Sequence, residues 1–118
     1  MAAIMNNLGE SFEHLGDLQT ALSYTYRTQQ LSDEIGDRQL LAVSNNNLGY
    51  LTLRLNHPAS EAIPYYEKSL AMFRLLGDTY GIFFTLRDIA RAWLLAECVN
   101  PARAYLTEAL RLGSNLNN

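Results

Sequence analysis

Residues 45–50 read Asn-Asn-Asn-Leu-Gly-Tyr, and residues 6–11 read Asn-Asn-Leu-Gly-Glu-Ser. Asparagine is a mediocre helix former, worse than alanine by up to about 0.7 kcal/mol in a helix interior. A helical chain that twice sets asparagines before Leu-Gly needs a reason beyond local propensity. Aligning the two stretches gives a register. Asn7-Leu8-Gly9 returns after 40 residues as Asn47-Leu48-Gly49, and after 41 more as Asp88-Ile89-Ala90. Ile35-Gly36-Asp37 returns as Leu76-Gly77-Asp78, also after 41. Ala62, Tyr66 and Ser69 correspond to Ala102, Leu106 and Ala109 on one side and to Ala21, Thr25 and Thr28 on the other. Chance supplies one such match, but not all of them in one register. The chain therefore holds three copies of a unit of about 40 residues, spanning approximately 1–36, 37–77 and 78–113.

Each unit reads as two helices. Leu8, Phe12 and Leu15, then Leu48, Leu51 and Leu55, then Leu86, Ile89 and Trp93 recur at helical spacing and mark the first helix of each unit. Breaks follow at Gly16-Asp17, Asn56-His57-Pro58 and Asn100-Pro101, with proline expected at the first helical position of the next helix. The second helices are then 18–35, 58–76 and 101–112, closed by Gly36, Gly77 and Gly113 in the left-handed conformation. Asp37 and Asp78 are natural N-caps for the first helices of the second and third units. Pro64 inside the helix 58–76 removes one backbone bond and predicts a mild kink. Small residues at equivalent positions (Gly9, Gly49, Ala90; Ala21, Ala62, Ala102) let paired helices approach closely, with Phe12 or Trp93 filling neighbouring space. No single pair can bury its apolar faces alone, so stacked neighbours must do it. The expected architecture is all-α: three antiparallel helix-pair repeats in one domain over 1–118, cut from a longer protein.

Composition narrows the function. Nine basic against twelve acidic residues give a net charge of −3, which makes no electrostatic case for nucleic acid. Eight of the nine cations are arginine, and Lys68 is the one lysine. No apolar run approaches the ~20 residues that span a bilayer, and no cleavable leader is visible. The reading is a soluble, cytoplasmic protein without a membrane partner. Cys98 alone excludes an internal disulfide, and near the end of an apolar helix it reads as a buried small hydrophobe. His14 and His57 lie in different units without a second ligand at metal spacing, and His57 before Pro58 reads as a helix cap. Every glycine is accounted for by packing or helix ends, so no phosphate loop is present. Tyr65-Tyr66 and Phe83-Phe84 read as core and inter-repeat filler. No cofactor, no metal and no enzymatic activity are expected.

The units resemble the tetratricopeptide repeat, which carries Leu-Gly, an aromatic three residues later, an alanine about nine beyond, then an aromatic and a small residue in the second helix. Leu8-Gly9, Phe12 and Ala21 fit in the first unit; Leu48-Gly49, Ala62, Tyr66 and Ser69 in the second; Ile89-Ala90, Trp93, Ala102 and Ala109 in the third. The stretch Glu61-Ala62-Ile63-Pro64-Tyr65-Tyr66-Glu67-Lys68-Ser69-Leu70 is close to the family consensus, whereas Thr25, Thr28 and Thr52 depart from it. The unit is longer than the usual ~34 residues and is similar to the long variant of kinesin light chains, G-protein-signalling scaffolds and bacterial regulators.

The resemblance implies a right-handed α-α superhelix whose first helices line a concave groove. That groove would carry Ala3, Asn6, Asn7, Glu10, Glu13 and His14; Val43, Asn46, Asn47, Tyr50 and Arg54; and Phe84, Arg87, Asp88, Arg91 and Leu95. Asn7 and Asn47 take the position at which family members bond the backbone of a bound peptide. An amide donates and accepts at once, which suits an extended chain. Arg54, Arg87 and Arg91 form a basic wall opposite Glu10 and Glu13, an arrangement suited to a partner with acidic side chains, although surface charges alone are worth little. The family's clamp for chaperone C-terminal carboxylates is not reproduced: its positions hold Asn6, Glu10, Asn47, Phe84 and Asp88, and only Asn47 matches. The function expected is a non-catalytic module that binds a protein or peptide. The alternative is a self-associating, spacer or sensor segment of a larger signalling or transcription-regulatory protein. For that alternative, helix 101–112 carries Tyr105, Leu106, Leu110 and Leu112 with no capping helix expected over them, so either neighbouring repeats or a homo-oligomer would cover that end.

Overall fold

A computed structural model describes residues 1–116 of the chain. Six helices follow one another: α1 (Ala2–His14), α2 (Leu18–Ile35), α3 (Arg38–Arg54), α4 (Ala59–Leu76), α5 (Thr79–Leu95) and α6 (Val99–Leu116). The repeating stops and starts explain their lengths. Gly36 and Gly77 close α2 and α4 at φ 73° and 67°, a conformation that costs glycine nothing. The side chains of Asp17, Asp37 and Asp78 accept hydrogen bonds from the backbone N–H groups of Thr20, Leu40 and Gly81. Each such cap satisfies an N–H that the helix cannot, typically worth ~1 kcal/mol. The turns inside the hairpins share a second device. Gly16, Asn56 and Glu97, equivalent in the register, all take positive φ.

Several expectations are corrected. Gly113 lies inside α6, which runs on to Leu116, and a Cβ there would stand 3.0 Å from the Phe83 ring. It is a packing glycine, not a terminator. The last hairpin turns at Glu97-Cys98, so α6 starts ahead of Pro101, whereas Pro58 is itself the N-cap of α4. His57 makes no cap: its Nδ1 meets Glu61 Oε2 at 3.0 Å. Cys98 is only half-buried, in the turn, with Sγ 3.6 Å from Ala96 O. α4 is continuous through Pro64.

Each helix packs on the next. α1 also touches α3, and α3 touches α5, but no Cα of α2 lies within 8 Å of α4, nor any of α4 within 8 Å of α6. The first helices thus gather on an inner wall while the second helices splay outward, which is the geometry of a curved solenoid. Close approach rests on the small residues. Tyr66, 2% exposed, lies against Gly49, where a Cβ would be 2.9 Å from its ring. Phe73 lies on Gly81 at a distance that leaves no room for a Cβ. Phe12 stacks on Tyr24 at 5.6 Å between ring centroids.

The two inter-hairpin junctions are built differently. Between α4 and α5, Ala62, Ile63, Tyr66, Ile89 and Ala92 form one apolar cluster, and Leu70 and Leu86 form another together with Ala109 of α6. Between α2 and α3, Gln29 Nε2 donates to Asn45 Oδ1 at 2.8 Å; α2 itself buries Ala21, Thr25, Thr28 and Ser32, with Thr25 against Gly9 of α1. The three hydroxyls donate to the carbonyls of Ala21, Tyr24 and Thr28 in their own helix, at 2.8, 2.9 and 2.6 Å. They are satisfied within α2.

Candidate functional site

The three asparagines before Leu48 point in three directions, as ~100° per residue on a 3.6-residue helix requires. Asn45 turns into the junction with α2 and is 2% exposed. Its Nδ2 donates to Leu41 O at 2.9 Å, and its Oδ1 accepts from Gln29 Nε2 at 2.8 Å. Asn46 faces the neighbouring inner helix: its Nδ2 donates to Asp88 Oδ2 at 3.3 Å and approaches Thr85 Oγ1 at 3.4 Å. Asn47 is half-buried on the inner wall and makes no side-chain hydrogen bond among the described residues.

The other groove candidates lie on α1, α3 and α5. Asn6, in the position of Asn46, donates from Nδ2 to Glu10 Oε1 at 3.4 Å, and its Oδ1 is buried with no partner among the described residues. Asn7 is exposed; its backbone carbonyl accepts from Ser11 Oγ at 3.0 Å. The Arg54 guanidinium sits 5.5 Å over the Tyr50 ring and donates to its hydroxyl at 2.7 Å. The Arg87 guanidinium lies 5.1 Å over Phe84 and 3.8 Å from Asp88 Oδ1. Such stacking is worth ~0.5–1 kcal/mol at exposed sites and holds two flexible cations close to the wall. Arg91 is exposed and has no ion pair among the described residues. Two of the three arginines thus stand on aromatic supports, and Asp88 lies beside Arg87.

Between α3 and α5 the wall opens into a pocket of about 150 Å³, lined by Val43, Asn46, Asn47, Phe73, Gly81, Phe84 and Thr85. Phe73 and Gly81 belong to no groove pattern in the sequence. Phe73 comes from the outer helix α4, and only the missing side chain at Gly81, in the first turn of α5, admits it. The signal was a glycine inside the first turn of a helix rather than at its end, a poor helix former with no turn to serve. The outer wall holds a larger open cleft of about 830 Å³ between α2 and α4, among Leu22, Tyr26, Arg27, Pro64, Tyr65 and Lys68. Its size follows from the splay of those helices. Among the described residues no three His, Cys, Asp or Glu side chains gather as a metal site, and no helix is long and apolar enough to cross a membrane.

No protein-family profile matches the chain. It is 28% identical over 105 residues to the transcriptional activator NprA of Geobacillus stearothermophilus, a match that takes in 89% of this chain and 25% of NprA. The chain thus spans about a quarter of that relative's length. Solved structures share the chain's shape at low sequence identity. The TPR domain of Arabidopsis FLU superposes with a TM-score of 0.87 at 18% identity, covering 96% of this chain and 95% of that one. BtubC (BKLC) from P. vanneervenii gives 0.89 at 24% identity over 99% of this chain and 48% of its own. The N-terminal domain of stress-induced protein-1 from C. elegans gives 0.79 at 15% identity, over 94% and 83% of the two chains. With the 40- and 41-residue register, the small-residue packing and the inward gathering of the first helices, these likenesses establish that the chain has the tetratricopeptide-repeat fold.

Proposed function

We propose that the inner wall binds an extended segment of a protein partner, without catalysis. The observation that carries this reading is Asn47: a half-buried amide with no side-chain partner among the described residues, at the rim of an apolar pocket. Its carbonyl and amino groups serve one N–H and one C=O of a peptide backbone. An apolar side chain of the same peptide fills the pocket between Val43 and Phe84, and acidic side chains meet Arg54, Arg87 and Arg91. Asn6, Asn7 and Glu10 extend the track along α1, and Tyr50 forms its side.

Selection of binders from a random-peptide library by the 118-residue chain, followed by fluorescence titration, tests it. Asn47→Ala is expected to weaken the selected peptides by up to about tenfold, the worth of one hydrogen bond. Arg87→Glu with Arg91→Glu weakens acidic peptides further and makes the remaining affinity less salt-sensitive. Peptides that keep full affinity for both variants would refute the inner wall as the site.

A second reading has one observation in its favour, the likeness to NprA: the stack is a sensor or spacer segment of a larger transcription regulator. The reading frame around the native gene checks it. A flanking DNA-binding segment supports the reading, and a frame without one removes it.

A further inference from the structure

Adjacent hairpins share one register, but they are not fastened to each other alike. The second and third hairpins are tied on both walls. On the inner wall Asn46 Nδ2 donates to Asp88 Oδ2 at 3.3 Å, joining α3 to α5. On the outer wall Arg74 Nη2 stands 3.0 Å from Glu108 Oε2, joining α4 to α6. Between the first and second hairpins the same four positions hold Asn6, Asn47, Asp33 and Lys68, and neither tie is made. Asn6 donates to Glu10 of its own helix, and its Oδ1 is buried with no partner among the described residues. The Asn47 amide makes no side-chain hydrogen bond among them either. Asp33 and Lys68 line one cleft of about 470 Å³ between α2 and α4, and they form no ion pair among the described residues.

Both unmade ties are chemically complete. Asn47 Nδ2 is a donor for Asn6 Oδ1, a buried acceptor that otherwise has no explanation. The opposite charges of Arg74 and Glu108 recur in reverse order at Asp33 and Lys68. The reversed pair is shorter: aspartate has one methylene fewer than glutamate, and the lysine nitrogen stands one bond nearer its backbone than the terminal nitrogens of arginine. It bridges only when α2 and α4 draw closer than the Arg74–Glu108 pair requires of its helices. The first hairpin can move as one body, since Phe12 stacks on Tyr24 and Thr25 lies against Gly9. Its seat on α3 is the polar junction, where the Gln29–Asn45 bond lies at the floor of the same cleft.

We infer that the first hairpin rocks on α3 between two states, one fastened on the inner wall by Asn6 and Asn47, the other on the outer wall by Asp33 and Lys68. The seat lies between the ties, so making one draws the other apart. A single hydrogen bond and an exposed ion pair are both weak against water, so neither state locks and both are populated. The inner state occupies Asn47, and the outer state releases it. On the inner-wall reading proposed above, on which this coupling rests, a peptide that takes Asn47 favours the outer state. Closing the outer cleft then strengthens peptide binding by the same factor.

Electron–electron double resonance between nitroxides at Ile35→Cys on α2 and Leu76→Cys on α4, both exposed, tests the rocking, with Cys98→Ser removing the remaining thiol. Two separations are expected. Lys68→Glu, which sets two carboxylates across the cleft, should deplete the shorter one. Asp33→Lys with Lys68→Asp restores the pair in the order of Arg74 and Glu108 and should recover it. Asn6→Ala, which removes the inner tie, should enrich it. A single separation that none of these variants shifts overturns the inference, and so does a loss in Lys68→Glu that the swapped pair fails to reverse. These distances need no peptide. Fluorescence titration of peptides selected on the inner wall reads the coupling. Lys68→Glu, on the outer face, should weaken them by up to about fivefold, the worth of a surface ion pair. The swapped pair keeps the net charge of the chain and should restore the wild-type affinity. Separations that respond while affinity stays constant would retain the rocking and remove Asn47 from the peptide site.

Discussion

At equivalent positions the two internal junctions use opposite chemistry. Where α4 meets α5, Leu70 and Leu86 belong to one buried apolar cluster. Where α2 meets α3, the same two positions hold Gln29 and Asn45, joined by a 2.8 Å hydrogen bond. The neighbouring level contrasts Tyr66 with Thr25, both buried. A Tyr ring brings some 150–250 Å² of surface into the core; a threonine bonded to its own helix brings far less. The backbone geometry is shared, so the fold does not require an apolar junction. It requires shape and satisfied polar groups. What the polar junction loses is strength, since a hydrogen bond exchanged for one with water nets only ~0.5–1.5 kcal/mol. It also gains selectivity, because a slipped register strands two amides.

The largest effect should come from the apolar side. Leu86→Ala leaves a cavity beside Leu70 and Ala109 and is expected to cost about 2–5 kcal/mol, read as a fall in the urea midpoint at constant slope. The equivalent change in the first junction, Asn45→Ala, should cost no more than about 1–3 kcal/mol, the penalty of leaving Gln29 half-buried and unpaired. Equal losses at the two sites would mean that the junctions do not differ in strength.

Next in size is the spread of local stability. In a stack where each repeat contacts only its neighbours, the unit with the weaker junction opens first. Backbone amides of α1 and α2 should therefore exchange with deuterium through openings a few kcal/mol cheaper than those of α3 to α6. Uniform protection across all six helices would show that the polar junction couples its hairpin as firmly as the apolar one.

A double-mutant cycle isolates the amide pair. Gln29→Leu alone should destabilise, since it strands the Asn45 oxygen. Gln29→Leu with Asn45→Leu copies the second junction and should recover the loss, ending near the wild type or above it. Removing both partners of a buried polar pair is often neutral, whereas removing one is costly. Thermal melts of the four proteins give the coupling term. A term near zero would mean that the amides do not interact.

These contrasts also show what a sequence can disclose. The register, the capping aspartates and the closures at Gly36 and Gly77 were legible because each is a local rule carried by one or two residues. Gly113 misled because the same residue type serves helix ends and close packing, and only the Phe83 ring beside it distinguishes them. The different surroundings of Asn45, Asn46 and Asn47 follow from angular position. That Asn45 finds Gln29, 16 residues earlier, depends on how two helices cross, which no spacing rule encodes. The pocket floor at Phe73 was hidden for the same reason: an outer-helix residue reaches the inner wall through a gap in the neighbouring unit. A cap is decided within four residues of chain, but a pocket is decided between chain segments.

The smallest expected effect concerns alkaline pH, and it acts on the apolar junction alone. Burial raises the Tyr66 phenol well above the usual range; Asp88 adds to this and Arg91 opposes it. The unfolded chain ionises its tyrosines near pH ~10, so below that value this residue leaves stability unchanged with pH. Above it the unfolded state loses a proton that the folded state keeps. Stability then falls as pH rises toward the folded value, by at most about 1.4 kcal/mol per pH unit. Tyr66→Phe keeps the ring on Gly49 and removes the titration, so its melting temperature should fall less between pH ~9 and ~11. Tyr105, raised chiefly by burial and then by Glu67, supplies a residual fall in both proteins. The first junction has Thr25 at the position of Tyr66 and nothing to ionise there, so alkaline exchange should narrow the gap between the hairpins by loosening α5 and α6. If wild type and Tyr66→Phe lose stability in parallel, the phenol is reaching solvent in the folded state, and the second junction is less tightly packed than the ring's contact with Gly49 requires.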